Sequence, residues 1–190
     1  MDGKIKSVAV YCGHQFGKDP EFARAARKIG ELLARNKITL VFGGGSTGLM
    51  GTVAGAAVEN GGKVIGISTH HVISLQEPLL KNIDVKIVDG LSTRKEEMFE
   101  LSDAFIILPG GIGTLDEMTD IMTKHQVKES CKPIYLMNIA KYWEILGKVM
   151  FHMQDEGFMP SMDAYNLHVV DTPEELIKKL IDGNDLVAPC

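Results

Sequence analysis

Two glycine-rich runs, one arginine and one glutamate are the residues here whose types and spacing can do chemistry. The runs read Gly43-Gly44-Gly45-Ser46-Thr47-Gly48-Leu49-Met50-Gly51 and Pro109-Gly110-Gly111-Ile112-Gly113-Thr114. Each follows a short apolar segment and opens a stretch of helical periodicity. In such a turn glycines let the backbone approach a ligand, and the first N–H groups of the helix face an anion. One turn of this kind is explained by tight strand-to-helix geometry alone. Two on one sheet edge predict a phosphate cradle, with Gly44, Gly45, Gly110, Gly111, Ile112, Gly113 and Thr114 against the ligand. Neither run reads GxxxxGK[ST], and Gly13-His14-Gln15-Phe16-Gly17 lacks GxGxxG, so a P-loop and a dinucleotide fingerprint are both disfavoured.

Arg94-Lys95 lies between the runs, near the start of a predicted helix. Arg94 and Met98 are four residues apart and share a face, which sets a guanidinium and an apolar contact over one pocket. An arginine near a helix start opposes the macrodipole, so a purely stabilising role suits it poorly. Lys95 by itself reads as a solvated charge. Glu117 falls one turn into the helix after the second run, close enough to its N-terminus to face whatever the loop holds. Asp116 points about 100° away around the helix and reads as favourable charge at a helix start. His70-His71 are adjacent, with no carboxylate at ligand spacing, so they read as loop histidines and no metal site is expected.

These residues need a scaffold that brings loops to one edge. Short β-branched runs alternate with amphipathic stretches, the pattern of an α/β fold with a parallel sheet covered by helices. Strands are predicted at 7–12, 39–42, 63–68, 85–88, 104–108, 133–137 and 168–170. Asp19-Pro20-Glu21 caps a helix that ends near Asn36, and others are expected over 49–59, 92–102, 114–127, 142–156 and 172–181. Ligands of open α/β sheets bind beyond the carboxyl ends of the strands, where both glycine runs fall. The segment from Thr69 to Asp84 has no clear period and suits a lid or site wall, with mere surface variability as the alternative.

The 190 residues, 45% hydrophobic, suffice for one core, so a single domain over 1–190 is expected. A net charge of −5 gives no basic footprint for nucleic acid. The opening residues resemble neither a signal peptide nor a membrane span, so a cytoplasmic protein with no membrane partner is expected. Cys12, Cys131 and Cys190 are odd in number and lack CxxC spacing, which reads as reduced thiols. Met118, Met122, Met150 and Met153 fall at helical spacings and read as core or subunit packing.

Together, the first glycine run, Arg94-Lys95-Glu96-Glu97-Met98 and Pro109-Gly110-Gly111-Ile112-Gly113-Thr114-Leu115-Asp116-Glu117 closely resemble the Lonely Guy (LOG) family, whose hallmark is PGGxGTxxE. These are cytokinin-activating nucleotide phosphoribohydrolases, often mislabelled lysine decarboxylases. The resemblance implies a three-layer, Rossmann-like fold with a mostly parallel, doubly wound sheet. It also implies a homodimer and hydrolysis of adenosine 5′-monophosphate or its N6-substituted derivatives to base and ribose 5-phosphate, with no cofactor. By position, Arg94 and Glu117 match the family's catalytic pair. Lys95, the loop Gly111 to Thr114, and Thr123 match substrate-contacting positions. The face around Met118 and Met122 is expected at the dimer interface.

Three segments depart from the family pattern. Cys12-Gly13 is followed by His14-Gln15-Phe16 rather than serines, and the PRE-type segment is represented by Ser74-Leu75-Gln76-Glu77-Pro78. Lys124-His125-Gln126 replaces Trp-Ala-Gln, which implies a more polar base pocket. The alternative expectation is a non-catalytic carrier, similar to the molybdenum-cofactor carrier proteins, and retention of both Arg94 and Glu117 favours the enzyme.

Overall fold

The computed structural model describes residues 4–74 and 83–183. Seven strands form one parallel sheet: β1 (Ser7–Tyr11), β2 (Thr39–Phe42), β3 (Val64–Ser68), β4 (Asp84–Ile87), β5 (Ala104–Ile107), β6 (Ile134–Met137) and β7 (Leu167–Val170). The helices are α1 (Pro20–Arg35), α2 (Gly48–Glu59), α3 (His70–Ser74), α4 (Gly90–Glu100), α5 (Ile112–Gln126), α6 (Glu144–Asp155) and α7 (Pro173–Asp182). The fold is therefore α/β and Rossmann-like. Every strand end lies within one residue of the sequence expectation. Among the α-helices of the described residues, only the short α3, inside the segment without a period, was not anticipated.

The strand order is β4-β3-β2-β1-β5-β6-β7. The chain winds outward from β1 in one direction, then returns to β1's other edge to begin β5. That reversal leaves a crevice between the carboxyl ends of β1 and β5, where the helices that follow diverge to opposite faces. In register, Val10 pairs with Phe42 on one side and with Ile106 on the other.

Period-two alternation divides the core into two layers. Val8, Val10, Leu40, Phe42, Ile106 and Tyr135 face α1, α2 and α7, whereas Ala9, Tyr11, Val41, Phe105, Ile107 and Leu136 face α4, α5 and α6. Both sheet faces are dry, so the strands read as apolar runs rather than alternating ones. Met118 and Met122 are 1% and 6% exposed and belong to the second layer. Of the two readings, core or subunit packing, they take the first, because α5 turns that side onto the sheet. On α6 only Met150 is buried.

Two N-caps begin helices as the sequence indicates. Asp19 Oδ1 accepts from the Glu21 N–H at 2.9 Å, with Pro20 next in line, and Thr172 Oγ1 accepts from the Glu175 N–H at 3.2 Å ahead of Pro173. Cys131 is disulfide-bonded, so the expectation of three reduced thiols fails, whereas Cys12 is free and buried. Among the described residues, no helix is long and apolar enough to cross a membrane.

The first layer relies on close helix approach. A Cβ on Gly30 of α1 would stand 2.3 Å from the carbonyl oxygen of Val53 and 3.0 Å from the Ala56 Cβ, both on α2. Backbone cannot swing aside as a flexible side-chain tip can. Gly30→Ala is therefore expected to destabilise the fold by about 1–3 kcal/mol, read as a lower urea midpoint with an unchanged slope. A midpoint equal to wild type would show that α1 and α2 separate freely.

Candidate active site

The crevice between β1 and β5 holds a cavity of about 480 Å³. Its floor and walls come from the loop after β1 (Cys12–Gly17), the loop after β5 (Pro109–Thr114), Arg94, Glu117 and Tyr142, with Phe16, Phe22, Leu49, Met50 and Val72 supplying apolar surface.

Arg94 and Glu117 meet on that floor. Arg94 Nη1 donates to Glu117 Oε1 at 2.9 Å, and its Nε donates to the carbonyl of Ile67 at the end of β3 at 3.0 Å. The two residues are only 8% and 9% exposed. Three elements thus converge on one guanidinium: α4 carries it, β3 orients it and α5 supplies its counter-ion. Gly43 leaves it room, since a Cβ there would lie 2.0 Å from Nη2. The first glycine run serves the arginine sterically at this residue.

Burial raises the Glu117 pKa above its ordinary value, and the Arg94 charge and hydrogen bond oppose this without cancelling it. The folded-state pKa is above the unfolded one. This carboxyl's contribution to stability is accordingly full below the unfolded value and lost as pH rises through the folded value. Burial thus works against the ionised form, and the Arg94 guanidinium works for it. Neighbouring Tyr11 and Cys12 are also pushed up, by burial first and by the Glu117 charge second, which disfavours the Cys12 thiolate.

The two helix starts behind the glycine runs differ. At α2 the N–H groups of Leu49 and Met50 both donate to the Gly13 carbonyl, at 3.1 and 3.3 Å, and the Gly45 N–H points at the Met50 sulfur, 3.3 Å away. That start is closed by the chain itself. At α5 the N-cap is Gly111, which offers no capping side chain, and the first helical bond is from Leu115 N–H to the Gly111 carbonyl. The N–H groups of Ile112, Gly113 and Thr114 find no acceptor among the described residues, as expected of an uncapped first turn. A Cβ on Gly111 or Gly113 would meet nothing within 4 Å, so this backbone is open to a ligand.

The structure gathers Arg94, Glu117, Gly110, Gly111, Ile112, Gly113 and Thr114 around the cavity and leaves other expected residues off its wall. Gly44 packs beneath Ser68, and Met98 is fully buried in the second layer. Lys95 bridges Asp116 at 3.2 Å and Asp120 at 3.1 Å, tying α4 to α5. Thr123 Oγ1 donates back to the Thr119 carbonyl. Lys124 pairs with Glu96 at 2.9 Å and lies over the Phe99 ring. His125 is buried with Nδ1 against the Tyr165 carbonyl. The polar base wall expected from these two residues is thus absent from this cavity. Gln76 and Glu77 lie outside the described residues. Phe16, Phe22 and Tyr142 were not anticipated as wall residues, although their places after β1 and β6, at the binding edge of the sheet, were a usable signal.

Comparison with known proteins adds the following. A family model described as "Possible lysine decarboxylase" matches residues 50–180. The chain is 39% identical over 182 residues to a protein of Oryza sativa subsp. japonica named as a probable cytokinin riboside 5′-monophosphate phosphoribohydrolase, covering 95% of this chain and 74% of that one. It is 37% identical over 155 residues to the cytokinin riboside 5′-monophosphate phosphoribohydrolase of Rhodococcoides fascians, covering 81% of this chain and 78% of that one. Among solved structures, the Moco carrier protein from Chlamydomonas reinhardtii superposes with a TM-score of 0.64 at 22% identity, over 92% of this chain and 94% of that one, a likeness of fold.

The buried pair makes a specific titration prediction. Followed by carboxyl-carbon NMR, Glu117 is expected to ionise above the ordinary 4.5, and Arg94→Met is expected to move it higher, because the substitution removes the cause that lowers it. A downward shift in that variant would mean that the arginine does not hold the carboxylate ionised.

Proposed function

Because the chain belongs to the Lonely Guy (LOG) family of phosphoribohydrolases, we propose that it cleaves the N-glycosidic bond of adenosine 5′-monophosphate or an N6-substituted, cytokinin-type derivative, releasing the base and ribose 5-phosphate. The observation that carries this reading is the buried Glu117, held by Arg94, one helical turn from three N–H groups that find no acceptor among the described residues, all lining the same cavity. One turn is about 5.4 Å, the scale of a ribose with its phosphate.

In this reading the phosphate sits on the N–H groups of Ile112, Gly113 and Thr114, where partial positive charge meets a dianion. Its ribose then lies over Glu117. Breaking the bond from C1′ to the base nitrogen builds positive charge on the sugar and leaves the electron pair on the base. The Glu117 carboxylate stabilises that oxocarbenium-like state and orients the water, whose hydroxyl adds to C1′ while the proton it gives up ends on the departing base. Arg94 is committed through Nε and Nη1, and its work is to keep Glu117 ionised and aimed. The apolar wall of Phe16, Phe22 and Tyr142 suits the base. Lysine decarboxylation has no support from the cavity, whose lining among the described residues includes no lysine for a Schiff base. The proposed site of action is the cytoplasm.

We also propose that the protein works as a homodimer. Ile145, Val149, Phe151 and Phe158, on α6 and just beyond it, are 74%, 47%, 56% and 85% exposed, more apolar surface in one stretch than a monomer usually leaves in water. A second copy covering α6 accounts for it. Light scattering that finds only an active monomer would refute the dimer.

For the activity, purified protein incubated with AMP is expected to release adenine, whereas adenosine, which offers the cradle no anion, is scarcely cleaved. Glu117→Gln should abolish release while leaving the circular dichroism spectrum unchanged. Comparable rates on AMP and adenosine, or near-normal turnover by the glutamine variant, would each sink the mechanism.

A further inference from the structure

Tyr142 enters the cavity from the turn after β6, one strand over from the loop it touches. Its hydroxyl donates to the Gly110 carbonyl at 2.6 Å, short for a hydrogen bond between oxygens. The ring stands edge-on to Phe22, with centroids 5.5 Å apart, and to Trp143 at 4.7 Å, which fixes the direction of the phenol.

The turn that delivers it is strained. Ala140 (φ 49°) and Lys141 (φ 61°) are both left-handed and neither is glycine, a conformation that persists only where the surroundings enforce it. Asn138 does the enforcing. Its side-chain oxygen accepts from the Trp143 N–H at 2.9 Å, its carbonyl accepts from the Lys141 N–H at 3.0 Å, and its own N–H is held by Val170 of β7 at 2.9 Å. None of these bonds uses the Tyr142 hydroxyl, which is left for Gly110.

We propose that Tyr142 is a positioning residue of the anion cradle: by holding the Gly110 carbonyl, it locks the Gly110–Gly111 peptide with the Gly111 N–H turned toward the bound phosphate. The inference rests on reading the start of α5 as the phosphate site. A trans peptide is planar, with C=O and N–H on opposite sides. Pinning the carbonyl to Tyr142 therefore aims the N–H away from it. The Gly111 N–H has no acceptor among the described residues, and the space where a Gly111 side chain would stand is open. Between two glycines a peptide turns over with little steric hindrance. Turned over, it would present a carbonyl oxygen to a phosphate dianion. The neighbouring peptide is already fixed, since the Gly13 N–H donates to the Pro109 carbonyl at 3.0 Å. Tyr142 supplies the restraint that the glycines cannot supply for themselves.

The test is Tyr142→Phe, which keeps the ring between Phe22 and Trp143 and removes only the hydroxyl. Calorimetric binding of inorganic phosphate is expected to weaken about 10-fold, the scale of one lost hydrogen bond. The KM for AMP should rise by the same factor, with kcat and melting temperature close to wild type. A merely structural role would lower the melting temperature and kcat and leave phosphate affinity alone, which overturns the proposal. So does a wild-type protein that does not bind phosphate. In the wild-type protein, the Gly111 amide resonance should move on phosphate titration, and an unmoved resonance overturns the assignment without any variant. Should AMP not be cleaved at all, the hydrolase reading fails, while phosphate binding still decides the role of Tyr142.

Discussion

The ion pair between Arg94 and Glu117 is the constraint around which the rest of the structure is arranged. An arginine and a glutamate at 2.9 Å, each about nine-tenths buried, are costly to keep as charges, because removing both from water costs several kcal/mol per ion before attraction returns any of it. Its upkeep reaches far along the chain. It requires a glycine at position 43, a carbonyl at the end of β3, and helices α4 and α5 held in register by Lys95 between Asp116 and Asp120. Loss of either charge would strand the other in a low dielectric.

Topology decides where that pair can be useful. The reversal of strand order at β1 and β5 opens the sheet at one place, and the first N–H groups of the helix that starts there, α5, find no acceptor among the described residues. The start of α2 is equally rich in glycine and yet closed, its donors taken up by Gly13 and by a methionine sulfur. Glycine content marked both turns, and strand order distinguishes them. One run makes space for a side chain, and the other leaves its backbone bare.

Much of the scaffold was legible in the sequence because its signals are local. Pro20 and Pro173 behind their caps, and the β-branched runs of seven short strands, fixed element ends to within a residue or two. The pairing of Arg94 with Glu117 was legible only as two residues at one sheet edge; their contact depends on α4 and α5 lying side by side across β3 and β5. Lys124 and His125 misled because sequence position along α5 does not say which side faces the crevice. His125 turns to the Tyr165 carbonyl and Lys124 to Glu96. Tyr142 was invisible for the opposite reason: its partner is a main-chain carbonyl 32 positions away, and no side-chain pattern encodes it.

The loop after β1 ties three elements together through its main chain. The Gly13 carbonyl receives the Leu49 and Met50 N–H groups, the Gly13 N–H reaches Pro109, and the His14 carbonyl receives the Thr47 hydroxyl. Because the seam is stitched by peptide groups, the side chains of His14, Gln15 and Phe16 carry none of its tension. These positions can be rewritten by mutation without unravelling the sheet edge. Here they have exchanged the serines of the family pattern for a histidine, an amide and an aromatic ring. Such a loop is an evolutionary drafting surface, open to change at its side chains while the floor of Arg94 and Glu117 beneath stays in place.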